Sequence, residues 1–553
     1  MKRRTVIKAA IASIPVLAMG RAFEASNFAA KKSSNESSVP GPFKPTWNSL
    51  SNYEVPDWFR DAKFGIWAHW GPQCQPEHGD WYARSMYIEG SDDYNFHLKK
   101  YGHPSKFGFK DVIHEWKAER WQPEELVKKY KDAGAKYFFA MANHHDNFDN
   151  YDSKFQPWNS TRLGPKKDII GGWAKAARNN DLHFGVSVHA SHAWSFYEKA
   201  QKADLSGPYT GVPYDGKMHE SNGRDLWWDG YDPQDLYAQN HRPSPNADDQ
   251  EVFFSQWDWS HGVTVPDKAY CEKFFNRTIN LIDKYNPDLI YFDDTVLPLY
   301  PISDVGLRIV AHLYNSNQKR NNGRLEAVVF GKELNEMQRK CIVWDIERGQ
   351  SNSIEPLPWQ TDTCLGQWHY DRRIYDNKEY KTAKTIIHTL ADVVSKNGNL
   401  LLNVPVRGNG TIDSEEIKVI AGITEWIKLN GESIFGTRPW KIFGEGPASE
   451  EKVALSAQGF NEGKGKPFTG KDIRFTSKGE ILYAIALGKP ENSKLIVKSL
   501  ADGNSPYTNR VSKIILVQNG QQLDFKQQSD GLHIELPPSV SEVFAYSLKI
   551  IPA

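Results

Sequence analysis

Short apolar runs in this 553-residue chain end repeatedly on histidine or a carboxylate. The run at 64–70 carries His69, and that at 136–142 leads into Asn143-His144-His145-Asp146. Residues 182–188 precede His189 and His192, the stretch 288–293 ends on Asp293 beside Asp294, and 342–344 leads to Asp345 and Glu347. Two chemistries use such groups. Imidazole and carboxylate together can bind a metal that activates water. They can also grip a hydroxyl-rich ligand, with two carboxyls sharing the acid, base and nucleophile roles. Spacing separates the two. Metal-binding His on one face of a strand read His-x-His, because alternate side chains point the same way. "HWG" and "NHHD" lack that spacing, and adjacent His144 and His145 point apart on an extended strand. The pattern favours hydrogen bonding to a polar ligand, with no metal or organic cofactor required.

These residues need a scaffold that brings several strand ends together. The apolar runs, with 326–330 and 399–403, have the length and continuity of strands buried on both faces, as parallel sheets require. Helical patterns lie between them at 123–133, 266–285, 382–396 and 413–429, the last opening with Asp413 and Glu416 in capping-box positions. Such alternation predicts a (β/α)8-type barrel or a doubly wound sheet. No G-x-G-x-x-G follows a strand, which disfavours a dinucleotide fold. In a barrel the active groups stand at the C-terminal strand ends. Residues 195–262 show no clear period and many polar and aromatic residues, as in an insertion that is functional or disordered. Beyond Pro439 short alternating runs such as "EILYAIAL" predict a C-terminal β-sandwich over 440–553.

Lys plus Arg equal Asp plus Glu at 68 each, so the chain has no electrostatic footprint for nucleic acid. Its 19 Trp, 24 Tyr and 27 Phe suit sugar faces as well as cores. The cysteines Cys74, Cys271, Cys341 and Cys364 have no metal-ribbon spacing and read as buried thiols. The N-terminus, "MKRRTVIKAAIASIPVLAMGRAFEA", has a basic start, a short apolar run and small residues, as in an export signal over 1–26 with a twin-arginine-like pair. A periplasmic or extracellular location follows. Residues 27–45 read as a solvated linker and 46–439 as the catalytic barrel; no later segment is long and apolar enough for a membrane span.

At this level the residues carry a resemblance. "WFRDAKFGIWAHWGPQCQPEHGDWYARSMY", "AGAKYFFAMANHHDNFDNYDS", "YNPDLIYFDD" and "SKNGNLLLNVPVRGNGTID" resemble, in order, the motifs of glycoside hydrolase family 29, the retaining α-L-fucosidases. The likeness covers roughly residues 45–440. It implies a barrel followed by a β-sandwich, a fucosylated glycan as substrate and exo-acting double displacement.

The resemblance assigns Asp293 as nucleophile and Glu347 as acid/base, and His69, Asp80, Trp81, His144, His145, His189, Lys332 and Trp368 as substrate contacts. Five departures accompany it. Gln360 stands where many relatives carry a Glu, and an amide cannot supply a proton. Asp80 replaces a Glu, Lys332 an Arg, and His189 or His192 takes the place of a Tyr. His369, where relatives often have Gly, leaves an α-L-galactoside or sulfated fucoside open as the substrate. A metal-dependent hydrolase using His69, His144 and Asp293, and a non-catalytic sugar-binding protein, are the rival readings.

Overall fold

The computed structural model describes residues 38–456, 459–503, 505–537 and 544–553. The export signal expected at 1–26 lies outside the described residues, as do 27–37. Residues 38–45 depart from the solvated linker expected there: Phe43 is buried, and its backbone N–H and C=O both bond the Asn315 side chain.

Eight parallel strands close into a barrel in chain order. They are β1 (Phe64–Ala68), β2 (Tyr137–Asn143), β3 (His183–Val188), β4 (Leu289–Phe292), β5 (Val328–Gly331), β6 (Val343–Glu347), β7 (Trp359–Cys364) and β8 (Gly398–Asn403). The run of apolar residues explains most of them, since strands covered on both faces are uniformly buried. Strand β7, "WQTDTC", has no apolar run, yet every residue in it is buried. Gln360, one of its core-facing polar residues, finds partners inside the barrel. The Tyr137 hydroxyl donates to Gln360 Oε1 at 2.9 Å, and Gln360 Nε2 donates to Asp345 Oδ1 at 2.9 Å. Gln360 therefore belongs to the barrel interior below the strand ends.

The expected helices form with shifted ends: Pro123–Asp132, Lys268–Tyr285, Ala383–Ser395 and Ser414–Asn430. Asp413 and Glu416 make the capping box, and Asp267 rather than Pro266 caps its helix. Helices Ile169–Asn179 and Val305–Arg320 complete much of the outer layer. The alternation lapses in one place. A single 3-10 turn, Gln338–Lys340, connects β5 to β6, and no helix lies between β6 and β7. Ile346 and Trp359 on the outer face there pack instead with Val393, Trp344 and Leu455, the last from a segment beyond the barrel.

That segment joins β9 (Arg438–Glu445) to β10 (Ile473–Lys478) in the C-terminal domain. With β11 (Ile481–Ala486), β12 (Lys494–Val497), β13 (Val511–Leu516), β14 (Gln521–Gln522), β15 (Phe525–Gln528), β16 (Gly531–Glu535) and β17 (Tyr546–Pro552) they build two antiparallel sheets. Their orders are β14-β13-β17-β11-β10-β9 and β12-β16-β15. Phe475, Leu482 and Ile514 from the first sheet share one core with Val497, Leu532 and Ile534 from the second, the layered packing of a β-sandwich.

The aperiodic stretch 195–262 folds as short helical turns around buried carboxylates. Asp215 accepts from the hydroxyls of Tyr87 at 2.7 Å and Tyr237 at 2.6 Å, and pairs with Lys110 at 3.2 Å. Side-chain hydrogen bonding replaces secondary structure here, which is why no period is visible. No helix of the described residues is long and apolar enough to cross a membrane.

Candidate active site

A cavity of about 790 Å³ opens at the C-terminal ends of the barrel strands. Eight of the ten residues singled out from sequence line it: His69, Asp80, Trp81, His144, His189, Asp293, Glu347 and Trp368. His145 and Lys332 stand behind the lining and hold Asp293.

Strand geometry brings the two carboxyls together. Asp293 follows the last residue of β4 and Glu347 ends β6, with β5 between them. Lys332, one residue past β5, is completely buried and fills the gap. Its ammonium donates to Asp293 Oδ1 at 2.7 Å and also to Glu347 Oε2. Two oxygens bonded to one nitrogen lie within about 6 Å of each other, given ordinary hydrogen-bond lengths. Double displacement uses roughly 5–5.5 Å, and inversion needs roughly 6.5–9.5 Å to seat a water. Lys332, expected as a contact to sugar hydroxyls, is committed to the two carboxylates.

The two acids are biased in opposite directions. Burial works to raise the pKa of Asp293, but the Lys332 charge and hydrogen bonds from His145 and His189 hold it well below the usual carboxylate range. Burial raises Glu347; Lys332 opposes the rise and the Asp293 charge adds to it, leaving the group above its ordinary value. One acid is held ionised and the other is inclined to keep a proton. Deeper in the barrel Asp345 is pushed up to about 7 by burial, and Asp362 well above its ordinary value by burial and the Asp345 charge. A single ammonium serves this whole cluster, so protonation removes the charge it cannot balance. Asp294 is occupied elsewhere, accepting from Ser191 Oγ at 3.0 Å and pairing with His192 at 3.0 Å.

The imidazoles form the other wall, and their partners set their tautomers. Gln73 Oε1 accepts from the Ala83 N–H, which turns its amide nitrogen toward His144 Nδ1 at 2.7 Å. Nδ1 of His144 is then an acceptor and Nε2 carries the hydrogen. His189 Nδ1 donates to Asp293 Oδ2 at 3.2 Å, leaving Nε2 as a buried lone pair with no protein partner among the described residues. Both ring nitrogens of His69 are likewise unpartnered, with the ring stacked on Trp67 at 4.9 Å. Burial, followed by neighbouring imidazoles, drives His69 and His144 well below their ordinary pKa; burial takes His189 to about 4. These rings are neutral and offer one donor beside one acceptor. A hydroxyl, which can give and take a hydrogen bond, matches that pair.

The same geometry bears on metal binding. Ligand atoms of His69, His144 and His189 come within 4.8 Å of one another, as do those of His145, His189 and Asp293. In the first group His144 has no free lone pair, because Gln73 uses one nitrogen and the other bears a hydrogen. In the second, the Lys332 ammonium already neutralises Asp293 and would repel a second cation.

Asp80 accepts from the backbone N–H of Trp368 at 3.2 Å and of His369 at 2.6 Å, fixing the loop after β7. Trp368 faces the cavity beside Trp67, whereas His369 is buried behind Asp80 and does not line it. His192 bonds the Asp293 carbonyl rather than the cavity. Arg348 lines the cavity and donates to Glu462 Oε2 of the C-terminal domain at 3.0 Å. Trp67 and Tyr291 were legible as the positions two residues before His69 and Asp293, on the same strand face. Phe254, Trp257 and Phe460 also line the cavity. They come from the insertion and from the C-terminal domain, and no local pattern marks them.

A closed parallel barrel with two carboxyls sharing one cation, faced by neutral imidazoles, defines a hydrolase of the two-carboxyl, sugar-cleaving class. The chain belongs to the alpha-L-fucosidase family: its family model matches residues 29–432, and the model of the alpha-L-fucosidase C-terminal domain matches 466–551. The tissue alpha-L-fucosidase of Homo sapiens is 25% identical over 538 residues, covering 94% of each chain. The alpha-L-fucosidase of Branchiostoma floridae is 26% identical over 461 residues, covering 82% of this chain and 83% of its own. The fold is shared with Thermotoga maritima alpha-fucosidase solved in complex with fucose, with TM-score 0.64 and 24% identity, covering 92% of this chain and 100% of that one.

Proposed function

We propose that this protein is an exported, retaining exo-α-L-fucosidase acting on fucosylated glycans. The observation that carries the reading is the Lys332 ammonium bonded at once to Asp293 and Glu347 at the cavity wall. Asp293, held ionised, attacks the anomeric carbon while Glu347 gives its proton to the departing oxygen. The carbon–oxygen bond breaks and a fucosyl ester forms on Asp293. Glu347, now ionised, takes a proton from water, and the resulting hydroxide displaces Asp293 and restores the starting configuration. His69, His144 and His189 hold the ring hydroxyls through the nitrogens left free.

The sugar's sixth carbon is read by what surfaces the cavity. Trp67 and Trp368 present indole there; the His369 ring, bonded to Asp80 through Nδ1, does not line the cavity but packs 4.6 Å from the His69 ring. An apolar wall suits a methyl group; a site built around a hydroxyl would need a polar partner in the lining. This supports L-fucose over L-galactose or a sulfated sugar. The N-terminal 26 residues support export to the periplasm or beyond.

The test compares p-nitrophenyl α-L-fucoside with the α-L-galactoside and follows the first-formed anomer by NMR. Faster release of fucose as its α-anomer is expected. Release of the β-anomer would refute double displacement, and preferential cleavage of the galactoside would refute the methyl-specific wall.

A further inference from the structure

A second cavity, of about 640 Å³, lies between the barrel and the C-terminal domain. One wall is a face of the helix Ala383–Ser395, where Lys384, His388, Asp392 and, one residue past the helix end, Lys396 recur every four residues. The other wall is Arg474 of β10 together with parts of the chain from 448 to 468. Adjacent residues of that chain face different cavities: Phe460 lines the catalytic one, Asn461 and Glu462 the second. Glu462 is already committed, to Arg348 Nε at 3.0 Å, Thr363 Oγ1 at 2.6 Å and Lys381 Nζ at 3.1 Å.

The floor of this cavity is short of negative charge. Asp392, Lys396 and Arg474 are all buried. Asp392 Oδ2 accepts from Lys396 Nζ at 2.7 Å and Oδ1 from Arg474 Nε at 2.5 Å, so two cations share one carboxylate. Arg474 Nη1 donates to Ser449 Oγ at 2.9 Å and the Ile473 carbonyl at 3.1 Å, while Nη2 makes no hydrogen bond among the described residues. The Phe443 ring lies 4.8 Å from the Lys396 ammonium and the Phe468 ring 4.9 Å from the Arg474 guanidinium, contacts that soften a buried charge without neutralising it. Burial, with the Arg474 charge beside it, lowers the Lys396 pKa against the pull of Asp392, as befits a cation with too little counter-charge. At the rim Lys384 and Lys466 are exposed. The lining as a whole carries five Lys and Arg against three Asp and Glu, in a chain where the two classes are equal.

A free guanidinium edge beside an ammonium suits an anion with two or more oxygens. The volume falls within the roughly 300–1,000 Å³ of small-molecule sites, far more than a lone sulfate or carboxylate fills. The Thr385 and Thr389 side chains and the Phe468 ring line the remainder, and hydroxyls beside an aromatic ring suit a saccharide. We propose that this cavity is a non-catalytic site for a sulfate or carboxylate group carried on an acidic polysaccharide, with Arg474 and Lys396 holding the anion and Lys384 and Lys466 at its rim. Binding here is separate from fucosyl cleavage and needs no turnover to be seen.

The test is calorimetric titration of the full chain with dextran sulfate and with polygalacturonate, against uncharged dextran. At least one acidic polymer should bind and dextran should not, and saturating L-fucose should leave that binding unchanged. Lys396→Met keeps Asp392 paired with Arg474 but removes the excess charge, and should weaken binding about tenfold or more. Lys384→Glu combined with Lys466→Glu should weaken it about five- to tenfold, the scale of two exposed ion pairs. Lys106→Glu combined with Lys340→Glu makes the same charge change at two exposed positions outside the lining and should not. The rim pair, being exposed, tests the site even where Lys396→Met lowers stability. Equal weakening by both pairs would reduce the effect to bulk charge, and inorganic sulfate binding as tightly as the polymer would make the ligand a free ion. Either result overturns the proposal, as does displacement by L-fucose or binding to neither polymer.

Discussion

The two halves of the barrel respond to burial in opposite ways. Strands β1 to β3 end in imidazoles, and removing these from water discharges them: His69, His144 and His189 are neutral. Strands β4 and β6 end in carboxyls, Lys332 follows β5 between them, and Asp362 lies inside β7. There burial drives Asp345 and Asp362 toward the protonated form, while one lysine keeps Asp293 charged. A protein interior discharges whatever it is not compensated to hold. The lesson is a division of labour: the uncompensated half recognises hydroxyls, and the compensated half keeps the charge that reacts. Breaking the second half should therefore cost most. Asp293→Ala is expected to lower turnover of an aryl α-L-fucoside on the order of 10⁴-fold or more, as removal of a covalent nucleophile does. Near-normal rates would move the reactive charge elsewhere.

Glu347→Ala removes the proton donor without removing the nucleophile. Its expected loss is roughly 10²- to 10⁴-fold on a disaccharide, with a smaller loss on an aryl fucoside whose leaving group needs little protonation. Azide should restore part of the aryl activity by taking the place of the activated water. Equal losses on both substrates would reduce Glu347 to a structural role.

Lys332→Met tests the compensation itself, with an expected loss of roughly 10²- to 10³-fold, the scale of one removed electrostatic partner. The sign of the pH effect follows from the cation. Lys332 favours the ionised form of both acids, so its removal raises both pKa values. The ascending limb, which needs Asp293 ionised, and the descending limb, which needs Glu347 protonated, should both move to higher pH. A fall in rate with an unmoved pH profile would show that Lys332 only packs. Thermal stability should fall as well, because two buried carboxylates lose their shared partner.

The halves also differ in how much of them the sequence discloses. The imidazole half lies on apolar runs with polar ends, so His69, His144 and His189 were found by reading along each strand. In the carboxyl half, Asp293 and Glu347 were reached in the same way, but β7 was not. Of its inward positions, Gln360 satisfies Tyr137 and Asp345, and Asp362 is a buried carboxyl driven toward its protonated form. A strand stabilised by side-chain hydrogen bonds in a core has no hydrophobic signature. Lys332 was located but its task was not, because only three-dimensional register puts it between two carboxylates. Phe460 and Phe254 were beyond reach for a related reason: nothing within the segments around 460 and 254 records the part of the barrel they pack against.

The smallest predicted effect probes the imidazole half, through a residue that does not itself line the cavity. Gln73 fixes the tautomer of His144, because its amide oxygen is held by the Ala83 N–H and its nitrogen faces Nδ1. Gln73→Ala removes that constraint. His144 can then turn or exchange its hydrogen, and one hydrogen bond to substrate is weakened, so KM should rise only about three- to tenfold, as suits a net worth of about 1 kcal/mol. A second consequence is more specific. With a lone pair released, His144 joins His69 and His189 as a third neutral imidazole within metal-ligand reach, so the variant should acquire zinc inhibition at concentrations the wild type tolerates. Chelation should relieve it and return the rate to that of the untreated variant. If wild-type activity instead required zinc and was lost on dialysis against EDTA, the three imidazoles would be ligands already, and the contrast between the two halves would fail at its neutral side.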